Sequence, residues 1–123
     1  MYSIRVETRF SSSHHLTDYE GNCARLHGHN WRVVVEVGGK ELNETGMLVD
    51  FTRLKTELDT VAAELDHIVL NDHPHFQSAE LNPTAENLAV FFHSRLQGKF
   101  GNNRILRIEV YETDDYVATF IPD

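Results

Sequence analysis

The sequence predicts an α+β fold in which four strands and two helices follow one another in the order β-β-α-α-β-β. Two kinds of hydrophobic periodicity lead to this prediction. Apolar residues alternate with polar ones near both ends of the chain, whereas in the middle they recur every three or four residues. A chain of 123 residues is long enough for one domain over residues 1–123 with one core, and too short for two.

The strands are predicted from alternation. Residues 2 to 10 and 29 to 37 alternate between apolar and polar side chains, which is typical of half-buried strands. Residues 104 to 112 and 116 to 121 are the third and fourth strands. The polar turn Thr113-Asp114-Asp115 lies between these two strands and predicts a hairpin.

The helices are predicted from their caps and apolar stripes. Asp50 is a good N-cap for the first helix, and the second begins near Asn82-Pro83-Thr84 and ends at Gly98. A segment rich in Asn, Asp, His and Pro separates them and is predicted to be a loop. The first apolar stripe consists of Phe51, Leu54, Leu58, Val61, Ala62 and Leu65, and the second of Ala85, Leu88, Ala89, Phe92 and Leu96.

Two helices on one face of a four-stranded antiparallel sheet form a two-layer structure. Such a small sheet exposes its edges, and copies of the chain can remove the edges by closing the sheets into a barrel. We therefore expect a cyclic homo-oligomer.

Composition and charge exclude several classes of protein. The formal net charge of −8 argues against a general nucleic-acid binder, although a local basic patch could still bind a small phosphorylated substrate. No apolar run approaches the roughly 20 residues that span a bilayer. The N-terminus alternates like a strand rather than carrying an apolar signal region, and one cysteine fits a reducing compartment. We expect a cytoplasmic protein that acts without nucleic acid or membrane partners.

The segment Cys23-Ala-Arg-Leu-His27-Gly-His29 predicts a metal site. Side chains two residues apart in a strand project to the same face, so both imidazoles could bind one ion, and imidazole suits zinc. A third ligand is available upstream as His14 or His15, and strand parity leaves this choice open because bulges are common near sites. The alternative is a polar strand pair that hydrogen-bonds to its neighbours.

Cys23 has three possible roles. A lone cysteine is usually a small buried hydrophobic residue, but its polar, glycine-containing loop argues against burial. A thiol near zinc or an imidazolium ionises more readily and can act as a base or nucleophile. It could instead be a fourth ligand in a closed structural site.

Three acidic residues are further candidates for chemistry. Asp66 precedes His67 at a predicted helix end, where the pair is either a polar helix stop or a carboxylate that orients an imidazole for proton transfer. Glu112 shares an apolar face with Leu106, Ile108 and Val110 by alternation, so it either lies past the buried region or meets a partner. A carboxylate suits the paired N–H donors of an aminopyrimidine. Glu86 most simply stabilises a helix N-terminus.

Motifs along the whole chain together resemble the 6-pyruvoyl-tetrahydropterin synthase family, and within it most closely the bacterial 6-carboxy-tetrahydropterin synthases of queuosine and 7-deazapurine biosynthesis. The motifs are Phe10-Ser-Ser-Ser-His14, Cys23-x-x-x-His27-Gly-His29, Thr45-Gly-Met-Leu-Val-Asp50-Phe51, Leu65-Asp66-His67, Leu70-Asn71-Asp72, Asn82-Pro-Thr-Ala-Glu86-Asn and Glu112-Thr113.

The resemblance implies a role for each matching residue. His14, His27 and His29 become ligands of zinc (Zn²⁺), Cys23 the catalytic thiol, and Asp66 with His67 the acid/base pair. Glu112 becomes the anchor for the pterin ring, with Thr84 and Glu86 as further substrate-binding candidates. The implied fold is the tunnelling fold, in which subunits close a barrel and assemble as a dimer of trimers.

The implied reaction converts 7,8-dihydroneopterin triphosphate to 6-carboxytetrahydropterin, with release of acetaldehyde and triphosphate. Elimination of triphosphate without side-chain cleavage would instead give the 6-pyruvoyl compound, and the catalytic residues alone do not decide between the two. A zinc-stabilised binding module without enzymatic activity is the third alternative.

Overall fold

A computed structural model describes residues 1–18 and 21–123, without the side chain of Cys23. Four strands form one antiparallel sheet in the order β1-β2-β3-β4, and helices accompany it, so the predicted α+β class is confirmed. The strands are β1 (Tyr2–His14), β2 (His27–Gly39), β3 (Arg104–Thr113) and β4 (Tyr116–Phe120).

Three α-helices lie between β2 and β3: α1 (Phe51–Leu65), α2 (Pro74–Ala79) and α3 (Ala85–Leu96). The short α2 falls in the segment that was predicted to be a loop, so that prediction is wrong. Pro74 occupies the start of α2, and the Nδ1 atom of His73 accepts a hydrogen bond from the backbone N–H of His75 at 3.1 Å. A proline at the first position and a side-chain cap are together sufficient to start a helical turn.

Strand β1 continues past its predicted end at Phe10 as far as His14. It pairs with β2 in one unbroken register, from Tyr2 opposite Gly39 to His14 opposite His27. The run Ser11-Ser12-Ser13 carries no hydrophobic alternation, which explains why the pattern alone ended the strand too early. The unbroken register places His14 on the same face as Phe10.

The core lies between the sheet and its helices. Helix α1 contacts β1, whereas α3 contacts β3 and β4. Trp31 is fully buried in the centre of this layer, and Phe10 stacks on its ring with a centroid distance of 6.1 Å. Among the described residues, no helix is both long and apolar enough to cross a membrane.

The free edge of β1 is covered near its C-terminal end by the segment that follows α1. The backbone N–H of His67 donates to Ser11 O at 2.6 Å, and the N–H of Ser13 donates to Ile68 O at 3.1 Å. Two further bonds join the backbone of His15 to the side chain of Asn71. We call residues 66–71 the edge strap, because they satisfy backbone groups that the sheet leaves unpaired.

Substitution of Asp50 should measure how much the cap of α1 stabilises the fold. The Asp50 carboxylate accepts a hydrogen bond from the backbone N–H of Thr52 at 2.8 Å. Asp50→Ala should lower the free energy of unfolding by about 1 kcal/mol, as is usual for loss of an N-cap. Urea titration measures this change, with Asp123→Ala at the exposed C-terminus as the control; equal stabilities of the two variants would contradict the role of the cap.

Candidate metal centre and its surroundings

Three histidines meet at the end of the sheet where β1 stops and β2 starts. His14 lies directly opposite His27 in the register, and His29 follows two residues later on the same face. Each offers a ring nitrogen, and these three atoms all lie within 4.8 Å of one another. We call these residues the histidine cluster. The adjacent His15 makes its described hydrogen bonds through its backbone to Asn71, so the choice that strand parity left open falls on His14.

Hydrogen bonds to backbone carbonyls fix the tautomers of two of these rings. His14 Nδ1 lies 2.8 Å from Pro83 O, and His27 Nδ1 lies 2.6 Å from Arg25 O. Because a carbonyl oxygen can only accept, both Nδ1 atoms must carry the proton. In the neutral rings, both Nε2 atoms therefore present lone pairs.

The two Nε2 atoms face each other at 3.1 Å. Two lone pairs at this distance repel unless a proton or a cation lies between them. Burial lowers the pKa of His14, which is 1% exposed, so the charged imidazolium that could supply a proton is disfavoured. Two nitrogens bound to one tetrahedral zinc ion at about 2.0–2.1 Å lie about 3.3 Å apart. The observed spacing therefore fits a shared metal ion.

His29 completes the set. Its Nε2 atom is buried and has no hydrogen-bond partner among the described residues, and Glu112 Oε1 lies 3.5 Å away. Burial lowers the pKa of His29, against the opposite effect of the Glu112 charge. A bound cation would satisfy this nitrogen. Three neutral imidazoles are a donor set suited to zinc, and they leave a fourth position for water or substrate.

Trp31 forms the floor of the histidine cluster. Its ring lies edge-to-face against His14 and His29, with centroid distances of 5.1 and 5.2 Å. Its indole N–H donates to Ser12 O at 3.3 Å. A buried indole fixed in this way limits the rotation of both imidazoles.

Glu112 reaches the histidine cluster from the end of β3. The pairing of β3 with β4 shifts between Tyr111 and Thr113, and Glu112 lies in that irregularity. A second irregularity lies in the pairing of β3 with β2, between Glu36 and Val37. It places Ile105 in the core instead of Leu106. The simple alternation predicted for Leu106 was therefore wrong. Bulges commonly redirect side chains next to sites.

Asp66 and His67 lie in the edge strap. Asp66 Oδ2 is 2.9 Å from His67 Nδ1, and Asp66 Oδ1 accepts from the backbone N–H of Ser11 at 2.9 Å. The hydrogen bond from the Ser11 N–H lowers the pKa of the Asp66 carboxyl, and the hydrogen bond from the His67 side chain is the second cause. The His67 side chain is 81% exposed and lines an open surface pocket together with Ser13 and His29. The structure thus pairs the two residues at the border of the histidine cluster.

The remaining candidates lie between β1 and β2 and at the start of α3. Cys23 belongs to a short 3-10 helix, Asn22–Ala24, between β1 and β2, and its side chain lies outside the described part of the structure. Thr84 caps α3 by accepting from the Asn87 N–H at 3.1 Å, and Glu86 is exposed in the first turn. Their roles in catalysis and substrate binding stay predictions.

Sequence reasoning did not identify the carbonyl groups of Pro83 and Arg25, which orient two of the three imidazoles. No side-chain pattern reveals such partners, because every residue carries a backbone carbonyl. The only available signal was position: Arg25 lies two residues before His27, and Pro83 lies in the Asn82-Pro83-Thr84 helix start.

Comparison with known proteins places this arrangement in a family. The family model described as 6-pyruvoyl tetrahydropterin synthase matches residues 3–123. The 6-carboxy-5,6,7,8-tetrahydropterin synthase of Synechocystis is 39% identical over 125 residues, which cover 98% of this chain and 93% of the relative. The human 6-pyruvoyl tetrahydrobiopterin synthase is 33% identical over 122 residues, which cover 96% of this chain and 83% of the relative.

A solved structure agrees with the sequence relatives. The 6-pyruvoyl tetrahydropterin synthase of Caenorhabditis elegans superposes with a TM-score of 0.83 at 26% identity, covering 99% of this chain and 96% of that one. The matches extend over nearly the whole chain, including both strands and loops that build the histidine cluster. The chain therefore belongs to the 6-pyruvoyl tetrahydropterin synthase family.

Proposed function

We propose that the protein is a zinc-dependent 6-carboxy-5,6,7,8-tetrahydropterin synthase of 7-deazapurine (queuosine) biosynthesis, a carbon–carbon lyase. Its substrates would be 7,8-dihydroneopterin triphosphate and water, which supplies the second oxygen of the carboxylate, and its products 6-carboxytetrahydropterin, acetaldehyde and triphosphate. The observation that carries the metal dependence is the pair of Nε2 lone pairs 3.1 Å apart. The relative of that name in Synechocystis, at 39% identity, supports the choice of reaction.

Zinc held by His14, His27 and His29 would supply a Lewis acid that polarises oxygens of the substrate side chain. The other steps belong to residues of the chain. Cys23 would move a proton on the side chain as a thiolate, and His67 would exchange protons while Asp66 holds its Nδ1–H at 2.9 Å.

Substrate orientation would come from Glu112. Its carboxylate lies beside His29, so a pterin whose N–H donors bind Glu112 would direct its side chain toward the histidine cluster. Thr84 and Glu86, at the start of α3, are proposed to contact the substrate as well.

The sheet edges support a homo-oligomer, which we propose to be a dimer of trimers with a closed barrel. The strap covers only the C-terminal part of the β1 edge, and β4 forms the other edge of the sheet. Tyr2 in β1 and Tyr116 and Val117 in β4 are exposed large hydrophobic residues at these edges. Pairing of edges between copies would bury them.

One relative favours a second candidate reaction. The human 6-pyruvoyl tetrahydrobiopterin synthase, at 33% identity, suggests elimination of triphosphate with the carbon side chain retained. The two reactions differ in acetaldehyde release, which makes them distinguishable in one assay.

That assay incubates the zinc-loaded protein with 7,8-dihydroneopterin triphosphate and identifies the products by mass spectrometry. The proposal predicts 6-carboxytetrahydropterin with one equivalent of acetaldehyde. A 6-pyruvoyl product without acetaldehyde would favour the alternative reaction, and unchanged substrate would leave a zinc-stabilised binding module. Protein stripped of metal with a chelator serves as the control.

The adjacent histidines His14 and His15 provide a matched pair of variants for the metal site. His14→Ala removes one of three proposed ligands and should weaken zinc binding by at least about tenfold, whereas His15→Ala should bind like wild type. Chelator competition measures the affinities. His27→Ala is the second variant in case loss of the buried His14 prevents folding. Equal zinc affinity in all four proteins would contradict the assignment.

Cys23→Ala should abolish turnover while one equivalent of zinc remains, because the thiol is proposed to transfer a proton and not to bind the metal. Product formation and zinc content are measured on the same samples, with Asn22→Ala in the same short helix as the control. Loss of zinc together with the thiol would instead indicate a closed site in which Cys23 is the fourth ligand.

Glu112→Gln should weaken pterin binding by about tenfold or more while zinc affinity changes little, since a neutral amide loses the charge-assisted hydrogen bonds. Equilibrium binding of a pterin to the zinc-loaded protein measures this effect. Glu109→Gln is the control, because Glu109 lies in the same strand and pairs with Arg5 at 3.0 Å. An unchanged pterin affinity in Glu112→Gln would remove Glu112 from the site.

A further inference from the structure

Ser12 carries a hydroxyl group that the proposed reaction does not use. Its Oγ atom and the His29 Nε2 atom are the buried side-chain polar atoms without a hydrogen-bond partner in the described part of the chain. The two residues face each other directly in the register of β1 and β2. Ser12 is only 7% exposed, and an unsatisfied buried hydroxyl costs about 1–3 kcal/mol. Such a group calls for a partner.

The proposed metal would satisfy the buried Nε2 atom of His29. It also indicates a partner for the Ser12 hydroxyl. A ring that binds metal through Nε2 carries its proton on Nδ1, and metal-bound histidines almost always donate that proton to an acceptor. Pro83 O is the acceptor for His14, and Arg25 O is the acceptor for His27. Among the described residues, no such bond is present for His29.

Glu112 is near His29 but does not approach the Nδ1 side of its ring. Glu112 Oε1 approaches His29 at Nε2, 3.5 Å away, which is the nitrogen that would face the metal. Ser12 lies across the strand pair from His29, with its side chain on the same face of the sheet. Rotation about its single side-chain bond moves the hydroxyl between three staggered positions without moving the backbone.

We propose that the Ser12 hydroxyl accepts the Nδ1–H of His29 when metal is bound, which makes Ser12 a positioning residue for the third ligand. This inference rests on the proposed metal site. It also accounts for a buried hydroxyl opposite His29, at a strand position that an alanine would fill without a desolvation cost. Loss of such a partner typically lowers metal affinity by about 10- to 100-fold.

A pair of variants of equal size isolates the hydroxyl. Ser12→Thr keeps the hydroxyl and Ser12→Val replaces it with a methyl group of the same shape, while Ser13→Ala is the control on the opposite face of β1. Chelator competition on the full chain should give a zinc affinity at least about tenfold weaker for Ser12→Val than for Ser12→Thr. Ser13→Ala should match wild type.

Nuclear magnetic resonance of the zinc-loaded protein provides a readout that packing alone would not move. The Nδ1–H of His29 should exchange slowly with water in wild type and Ser12→Thr, and rapidly in Ser12→Val. Equal affinities and equal exchange rates in Ser12→Thr and Ser12→Val would overturn the inference while leaving the metal site intact. A wild-type chain that binds no zinc would instead overturn the proposed function, and this inference with it.

If both larger side chains disturb folding, Ser12→Ala replaces Ser12→Val and is compared with wild type. Thermal unfolding of the metal-free proteins shows whether the fold itself has changed. A tenfold loss of zinc affinity at equal metal-free stability supports the hydrogen bond; retained affinity at equal stability contradicts it.

Discussion

The candidate metal centre depends on the unbroken pairing of β1 with β2. The strands stay in one register from Tyr2 opposite Gly39 to His14 opposite His27. Because side chains alternate with a period of two, a slip of one residue would turn His14 away from the core and bring His15 inward. The large apolar residues of the same strands resist such a slip, since it would also expose Phe10, which is 3% exposed. Hydrophobic burial at the centre of the sheet therefore fixes the position of a candidate metal ligand at its end.

Burial and backbone carbonyls together prepare the imidazoles for a cation. Burial lowers the pKa of His14 and of His29, which favours the neutral, ligating form near neutral pH. The carbonyls of Pro83 and Arg25 then direct the remaining lone pairs of His14 and His27 toward a common point. Without a cation, these converging lone pairs and the buried Nε2 of His29 are destabilising. Packing of the core thus offsets the unfavourable free energy of the metal-free site, which metal binding would relieve.

Sequence periodicity predicted the elements that bury an apolar face and missed those held by local polar bonds. The four strands and the two long helices were predicted from alternation, from apolar stripes and from the Asp50 cap, and the structure confirms these elements and the cap. Phe51, predicted in the first apolar stripe, is instead 61% exposed, because it is the first residue of its helix. Helix α2 was missed because it depends on a cap from the His73 ring. Periodicity predicted the histidine cluster in part: the spacing of His27 and His29 indicated a shared face, whereas the serine run before His14 has no hydrophobic signal. The resemblance to the family supplied His14 as the third residue. The backbone carbonyls of Pro83 and Arg25 cannot be predicted from a pattern of side chains.

The edge strap links the histidine cluster to the proposed acid/base pair, Asp66 and His67. Ser11 binds the strap twice, through its N–H to the Asp66 carboxylate and through its carbonyl to the His67 N–H. These bonds lie three residues before His14 and hold β1 extended where its sequence has no apolar residues to do so. The same Asp66 carboxylate orients His67 with its second oxygen. One carboxylate therefore stabilises the strand that carries a candidate metal ligand and orients the imidazole proposed to move protons, which couples the geometry of the two groups.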